Sequence, residues 1–591
     1  MVNLDSQQYA AVDTDSRQVL CLAGAGSGKT RVLVERIAHL IENKKVSPYE
    51  IMACSFTRKA SGELRKRFEE RVGRGAHHIT MGTIHSISLR YLKRFGELIG
   101  LRGKNLTVYS EFEENYLLRE CAIDLGIYKG KAWKIPKREI DAVFNDYYEK
   151  GLIPPEDHPC TPIFNEFISR CRENNSLTYG ALLCGFKILL PLIKQYLNLK
   201  HIFVDECQDL DLLQWKIFNE LRDLCGASLF VVGDIDQSIY SWRGAIPEYL
   251  IEHQAEFEIF KIENNYRSCP EIVEAANRLI EHNESRIPRT MKATREAAGD
   301  IRIMPNMDTE AIVKKILTFA DRSRDKDICF LSRNHFLLKK LASCLDVINF
   351  PYIYIGRQME LIESPLFRIF HSFLKLLVNP FDNFSFLLIR DLLGLSRPQY
   401  NEIRLKATQK SKSHFQTWVE SRTEESSNRV SDFFYKTDRT SFELEESFMY
   451  LVSAYDWPEE IDLVRTFVTS WMADNSNKTI SDYLDWLATY DYSDEIKEDD
   501  SKLKLMSIHQ SKGLEFPLVV IIGANEGIIP SKQSIEAGDS EIEGERRLFY
   551  VALTRAEDSA VICIRSERKE DERGRVFENP VSRFIKEMKN E

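Results

Sequence analysis

Short, unbroken apolar runs that end in small or polar residues predict buried strands at 17–22 (RQVLCL), 51–56 (IMACSF), 201–204 (HIFV) and 229–233 (LFVVG). Between the first two, residues 30–41 carry Val32, Ile37, Leu40 and Ile41 at helical period. Residues 86–197 interrupt this alternation with helical segments at 91–99, 112–125 and 163–174. A second run of strands begins near residue 281, at 301–304, 328–331 and 352–355. It gives way near Pro380 to a mostly helical stretch and resumes at Leu503, with a strand at 518–522 and a helix at 541–556. The pattern predicts an α/β protein of two such units, 1–85 with 198–280 and 281–380 with 501–591. Each is split by a mainly helical insertion, 86–197 in the first and 381–500 in the second. The second insertion carries Glu424-Glu425, Glu443 to Glu446 and Glu498-Asp499-Asp500, which predicts a solvent-facing, mobile element.

Composition narrows the class. A chain of 591 residues, 43% apolar and 29% charged, is several domains of ordinary globular character. No run approaches the roughly 18 apolar residues of a membrane span, and the polar start MVNLDSQQYAAV lacks a signal-peptide core. The twelve cysteines lie scattered without a CxxC pair, which points to reduced thiols and a cytoplasmic location. A net charge of −10 argues against a nonspecific coat on nucleic acid. It leaves room for a track held in a local basic groove.

The chemistry sits where the strands end. After the first strand come Gly24, Ala25, Gly26, Ser27, Gly28, Lys29 and Thr30, a glycine-rich loop opening into a helix N-terminus. Backbone N–H groups can curl around phosphate there, Lys29 can reach the β- and γ-phosphates, and the Thr30 hydroxyl can hold Mg²⁺. Ala23 stands where the loop pattern usually begins with Gly, which is tolerable because that residue only ends the strand. Gln8, shortly before the loop, offers the donor and acceptor that an adenine edge requires; a surface Gln on a helix start is the alternative. The second strand ends in Phe56, Thr57, Arg58 and Lys59, followed by a basic helix with Arg65, Lys66, Arg67, Arg71 and Arg74. That helix suits either phosphate contacts or a solvated charged face. Residues 79–85 repeat the strand-end logic with Thr83 and His85. The basic set Lys129, Lys131, Lys134, Lys137 and Arg138 around Trp133 is either a DNA contact or a solvated face.

The strand 201–204 runs into Asp205-Glu206, adjacent carboxylates that are costly to bury without a cation and a reaction. Asp205 suits a Mg²⁺ shell and Glu206 a base for the attacking water. The strand 229–233 leads to Gln237, able to bridge a γ-phosphate, and then to Tyr240, Trp242 and Arg243, fit for stacking bases and touching phosphate. Tyr266 and Arg267 follow, an aromatic face for adenine and a cation for the γ-phosphate. Trp242 can also be read as a packed core residue.

The stretches LAGAGSGKTRVL, SFTRKA, GTIHS, VDECQD, VGDIDQSIYSWRGA, NNYRS, SIHQSKGLEF and ERRLFYVALTRA resemble, in order, those of superfamily 1 helicases of the UvrD/Rep/PcrA type. The resemblance runs from Leu4 to about Phe584. It implies two RecA-like P-loop motor domains with ATP at their interface, single-stranded DNA across their tops, and 3′→5′ translocation. Carried onto this chain, it implies Gln8 on adenine and the loop from Gly24 to Arg31 on the phosphates. Thr30 and Asp205 fall to Mg²⁺, Glu206 to the base, and Gln237, Arg267 and Arg555 to the γ-phosphate. Tyr266 falls on the adenine face and Glu515 on the ribose. Phe56, Thr57, Arg58, Thr83, His85, Tyr240, Trp242, Arg243 and His509 fall on DNA-contacting positions.

Departures are Arg58 for Asn, Ile235 for Asp, Leu177–Leu183 for an acidic LDFDDLL-like stretch, Gly394-Leu395-Ser396 for a GIG turn, a shorter second insertion and no C-terminal extension. The implied activity is an ATP-dependent helicase acting on single-stranded DNA and single/double-strand junctions, with no membrane partner. The alternative is an accessory DNA-dependent ATPase that binds DNA ends and regulates a partner, a nuclease or a repair or anti-phage defence factor.

Overall fold

The strand Gln18–Ala23 (β1) is apolar along its length, so both of its faces need cover. The helix Lys29–Glu42 supplies part of it through Val32, Leu33 and Ile37, which share a core with Val19, Cys21, Phe203 and Phe230. The same logic builds β2 (Ile51–Cys54), β3 (Thr80–Gly82), β4 (His201–Val204), β5 (Ser228–Gly233) and β6 (Glu258–Ile262). These form one parallel sheet in the order β6-β1-β5-β4-β2-β3. Because β1, β5 and β4 are neighbours pointing the same way, their C-terminal ends lie side by side.

A second parallel sheet is built from β7 (Asp300–Met304), β8 (Ile328–Ser332), β9 (Tyr352–Tyr354), β10 (Leu503–Ser507), β11 (Phe516–Ile522) and β12 (Ala556–Cys563). Its order is β7-β12-β11-β8-β10-β9. The computed structural model describes residues 4–129, 132–305, 307, 309–322, 328–421, 432–434, 449–453, 455–475, 478–490, 495, 503–565, 568–570, 576–578 and 580–589. It forms two units. One comprises residues 1–83, 198–356 and 492–591 and holds both sheets; the other comprises 84–197 and 357–491 and is mainly helical. The architecture is α/β, as the alternation of the sequence predicts.

Three strands escape the apolar-run pattern. β6 (EIFKI) is an edge strand with Glu258 and Lys261 exposed, and β10 (LKLMS) buries a lysine. β12 begins with the polar AED, and its Ala556 already pairs with Phe516. The helix predicted at 541–556 is Asp539–Leu553, because this pairing starts two residues after its C-cap Thr554.

The second insertion is not the solvent-facing element its charge suggests. Its described part, together with the helix Pro365–Val378 that precedes it, buries Phe367, Phe370, Phe373, Phe386, Trp418, Trp471 and Tyr483 in one aromatic core. It also shares interior with the first insertion: Phe384 sits in the core of Tyr109, Phe144 and Phe164. The Tyr109 hydroxyl donates to Asp382 Oδ1 at 2.8 Å, and Asn379 Nδ2 donates to Thr107 Oγ1 at 2.8 Å and to the Asn174 carbonyl at 2.9 Å. The helix Pro365–Val378 belongs to this unit by its contacts. The acidic runs at 424–425, 443–446 and 498–500 lie outside the described residues. No helix among the described residues is long and apolar enough to cross a membrane.

The helical unit carries a titration signature. His371 is buried, with Nδ1 2.7 Å from the Phe367 carbonyl and Nε2 2.7 Å from the Tyr483 hydroxyl. The carbonyl can only accept, so Nδ1 carries the proton and Nε2 accepts from Tyr483. Burial pushes the imidazole pKa down to about 3. The unfolded chain therefore binds a proton near its ordinary pKa of about 6.5 that the folded chain refuses, and stability present above that pH is lost as pH falls towards 3. His371→Gln should flatten the fall in urea-unfolding free energy between pH 6 and 4 by about 1.4 kcal/mol per pH unit. An unchanged slope would mean that His371 accepts the proton in place.

Candidate functional site

The loop after β1 turns through Gly26 (φ +64°) and Gly28 (φ +81°), left-handed conformations that favour glycine. Ser27 Oγ closes it by donating to the Gly24 carbonyl at 2.8 Å. Lys29 and Thr30 then begin the helix, with Arg31 on its first turn. Gln8 is buried rather than a surface residue: its Oε1 accepts from Asp5 N and its Nε2 donates to the Ser27 carbonyl at 2.9 Å. The other side of the loop is held by residues that follow β6. Asn265 Nδ2 donates to the Ala25 carbonyl at 2.7 Å and Tyr266 N to the Gly26 carbonyl at 2.9 Å, while a Cβ on Gly26 would meet Arg267. Tyr266 thereby lies beside the loop with its ring 42% exposed and its hydroxyl 2.5 Å from Asp5 Oδ2.

The adjacent β4 delivers Asp205 and Glu206. Glu206 adopts φ +54°, a left-handed strain uncommon for a side chain of its type and typical of working sites. Its Oε2 accepts from Lys29 Nζ at 3.2 Å and from Gln208 Nε2 at 2.6 Å. Burial pushes its pKa up, but Lys29, Lys512 and the Gln208 hydrogen bond outweigh burial and hold it down to about 2. Asp205 goes the other way: burial and the Glu206 charge push it up to about 7, despite Lys29 and the Glu206 N–H. Asp209, one turn on, is pushed up to about 6 by burial and is paired with the Lys512 ammonium, which also donates to the Gln237 carbonyl at 2.7 Å.

From β5 comes Gln237, 2% exposed. Its Oε1 accepts from Arg555 Nη2 at 3.1 Å, joining the first sheet to the turn before β12. Arg555 also donates to the Val551 and Leu514 carbonyls. Burial, and then the neighbouring Arg267, lower its pKa to about 9. Arg267 donates through Nε to Glu515 Oε2 at 2.7 Å and through Nη1 to the Thr554 carbonyl. Lys29, Glu206, Gln237, Arg267, Arg555 and Glu515 thus belong to one connected set of contacts, with Tyr266 and Gln8 on the loop.

A separate aromatic ledge follows Gln237. Trp242 is 70% exposed, which excludes a core role; His509 meets it edge-on at 6.1 Å and the Arg243 guanidinium lies 5.5 Å from its ring. Burial, then Arg333 and Lys512, lower the His509 pKa to about 3, so the ring is neutral. Tyr240, expected to meet a nucleic acid, is instead buried: Phe56 stacks on it at 4.9 Å and its hydroxyl donates to the His509 carbonyl. It props the ledge from below. Thr57 caps the helix that Arg58 begins, accepting from Ala60 N. On that helix Arg67 pairs with Glu63, and Arg71 with Glu35 and Glu42. Thr83 is buried. In the helical unit His85 stacks on Tyr179 at 4.1 Å, Trp133 packs on Tyr128, and Lys137 pairs with Asp141; Lys131 lies outside the described residues.

Sequence reasoning missed the polar residues that hold the candidate site residues. Asn265 clasps the loop while its Oδ1 accepts from Arg267 N and Ser268 N; Gln208 anchors Glu206 and, through Oε1, Asp234 N. The available signal was an uncharged amide inside each motif, where an apolar residue would have sufficed for packing. Asn265→Ala leaves two N–H groups and a carbonyl without that partner, at about 1–3 kcal/mol for a stranded buried group. It should lower the urea midpoint and weaken ADP binding together. Loss of stability with unchanged ADP affinity would show that the clasp does not shape the loop.

The UvrD/REP helicase N-terminal domain matches residues 4–258 and the UvrD-like helicase C-terminal domain residues 260–567. The chain is similar to proteins named ATP-dependent DNA helicase PcrA. That of Staphylococcus epidermidis is 29% identical, covering 99% of this chain and 86% of the relative. Those of Staphylococcus aureus and Leuconostoc citreum are each 28% identical, covering 99% and 86%, and 100% and 85%, respectively. The two domain matches together span nearly all of the sequence, and the chain belongs to the UvrD/REP helicase family.

Proposed function

We propose that this protein is an ATP-dependent DNA helicase that moves 3′→5′ on a single strand and couples ATP hydrolysis to strand separation. The observation that carries the reading is the spacing of Gln237 and Trp242. One segment of six residues begins with a buried amide against Arg555 and ends in an exposed indole. Such a segment can feel a γ-phosphate at one end and a base at the other. The direction of travel follows from the resemblance of the motifs.

The loop Gly24–Thr30 suits the phosphates, with Lys29 as the cation, Tyr266 under adenine and Glu515 near the ribose. Asp205 is a buried carboxylate whose surroundings favour added positive charge, and Thr30 offers a hydroxyl. Hard oxygen donors of this kind fit Mg²⁺, which when bound would screen phosphate charge. Glu206 is a weak base while Lys29 holds it. A phosphate that draws Lys29 away raises the proton affinity of Glu206, so substrate binding itself readies the base. Arg267 and Arg555 then meet the charge that develops on the γ-phosphate.

Strand displacement by the purified chain tests this reading. A duplex with a 3′ single-stranded tail should be unwound with ATP and one with a 5′ tail should not. Glu206→Gln should bind ATP and DNA yet hydrolyse about 10²–10⁴-fold more slowly, and displacement should fall with it. DNA-stimulated turnover without displacement on either tail would favour the accessory ATPase instead.

Trp242→Ala separates track from motor. Base stacking on an aromatic contributes about 1–3 kcal/mol, and an indole 70% exposed adds little to the fold. The variant should keep its melting temperature and its DNA-free ATPase, while stimulation by single-stranded DNA and displacement collapse together. Normal fold-stimulation by DNA would remove Trp242 from the track.

A further inference from the structure

Behind the phosphate loop lies a buried four-charge cluster that the roles above do not use. The Arg289 side chain is 3% exposed and pairs with Asp234, whose side chain is fully buried, and at 3.4 Å with Asp236. Arg286 completes the cluster with Nη2 2.8 Å and Nε 3.1 Å from the Asp236 carboxylate. Arg289 touches two parts of the site at once. A Cβ on Gly24 would collide with its Nη1, so the guanidinium backs the phosphate loop. That Nη1 is buried without a hydrogen-bond partner among the described residues.

The other edge of the guanidinium controls an amide. Asp234 Oδ1 accepts from Arg289 Nη2 and from Asp236 N at 3.0 Å, and its Oδ2 accepts from Gln237 Nε2 at 2.5 Å. An ionised carboxylate can only accept. Gln237 must therefore turn its amine towards Asp234 and its carbonyl outward, where it accepts from Arg555. The guanidinium is the cation that meets the fully buried Asp234 carboxylate and fixes it beside Gln237. Without it the Asp234 carboxylate would lose its ion-pair partner and, with that, its fixed place. The Gln237 amide would lose its single orientation, and its amine could face the guanidinium of Arg555, donor against donor.

We propose that Arg289 is a positioning residue for ATP hydrolysis, fixing the Gln237 amide through Asp234 so that its carbonyl faces Arg555 while bracing the phosphate loop at Gly24. The inference rests on the γ-phosphate reading of Gln237 and Arg555.

The test compares Arg289→Lys, Arg289→Met/Asp234→Asn, Gln237→Ala and the triple variant combining the last two. The Met/Asn pair removes the charges of Arg289 and Asp234 together, so no unpaired carboxylate is left at 234 to unfold the protein; thermal melting checks this. An Asn at 234 both donates and accepts, so it cannot orient Gln237. The Met/Asn variant should lower the kcat of DNA-stimulated ATPase about 10–10²-fold with KM changed less than about threefold, and Arg289→Lys should restore most of kcat. The triple variant should be no slower than Gln237→Ala alone. Losses that multiply in the triple variant, or a Met/Asn variant that raises KM at unchanged kcat, would overturn the inference. Parental turnover in Gln237→Ala alone would overturn the γ-phosphate reading, and the inference with it.

Discussion

Five carboxylates at the ends of β4 and β5 govern this structure. Asp205, Asp209, Asp234 and Asp236 are buried and Glu206 nearly so, all within one 32-residue stretch of the first sheet. Carboxylates removed from water cost several kcal/mol each unless cations and donors meet them. Lys29 serves Glu206 from within the same sheet, but Arg286, Arg289 and Lys512 come from later in the chain. The first sheet therefore cannot satisfy its own reactive edge. Lys512 and Arg289, which relieve this charge, also hold the Gln237 backbone and its partner Asp234, so the residues that neutralise these carboxylates are among those that fix Gln237 beside Arg555.

Much of this was legible because the chemistry is local in sequence. The loop Gly24–Thr30, the pair Asp205-Glu206 and the segment Gln237–Arg243 each follow an apolar run that reads directly as a strand, and the structure ends a strand at each. What stayed hidden is pairing across distance. Nothing in the residues near Arg289 announces Asp234, and Gln237 and Arg555, 318 positions apart, were put together by the family resemblance and not by the residue pattern. Burial hid as well. Tyr240 and Trp242 look equivalent two residues apart, yet one lies beneath Phe56 and the other stands in solvent. The strands β6, β10 and β12 were masked by the polar residues of an edge, a buried lysine and a strand start.

The acidic character of the second insertion misled for a related reason. Charge was read from runs that lie outside the described residues, whereas the fold of that segment is set by aromatics at helical spacing. On the helix Pro365–Val378, just before that segment, Phe367, Phe370 and Phe373 lie at intervals of three and share a core with Phe386, Trp418 and Trp471 of the segment itself. A few acidic clusters say little about a segment whose large side chains are periodic.

The shared interior of the two insertions has a consequence on the ribosome. Tyr109, Phe144 and Phe164 emerge early, but Phe384, which fills their core, and Asp382, which receives the Tyr109 hydroxyl, are made more than 200 residues later. At roughly 5–20 residues per second the wait is on the order of tens of seconds. Through that interval the nascent chain carries an unfinished apolar face while an entire sheet edge is still being translated. The helical unit thus cannot close its interior until both of its sequence segments have been made.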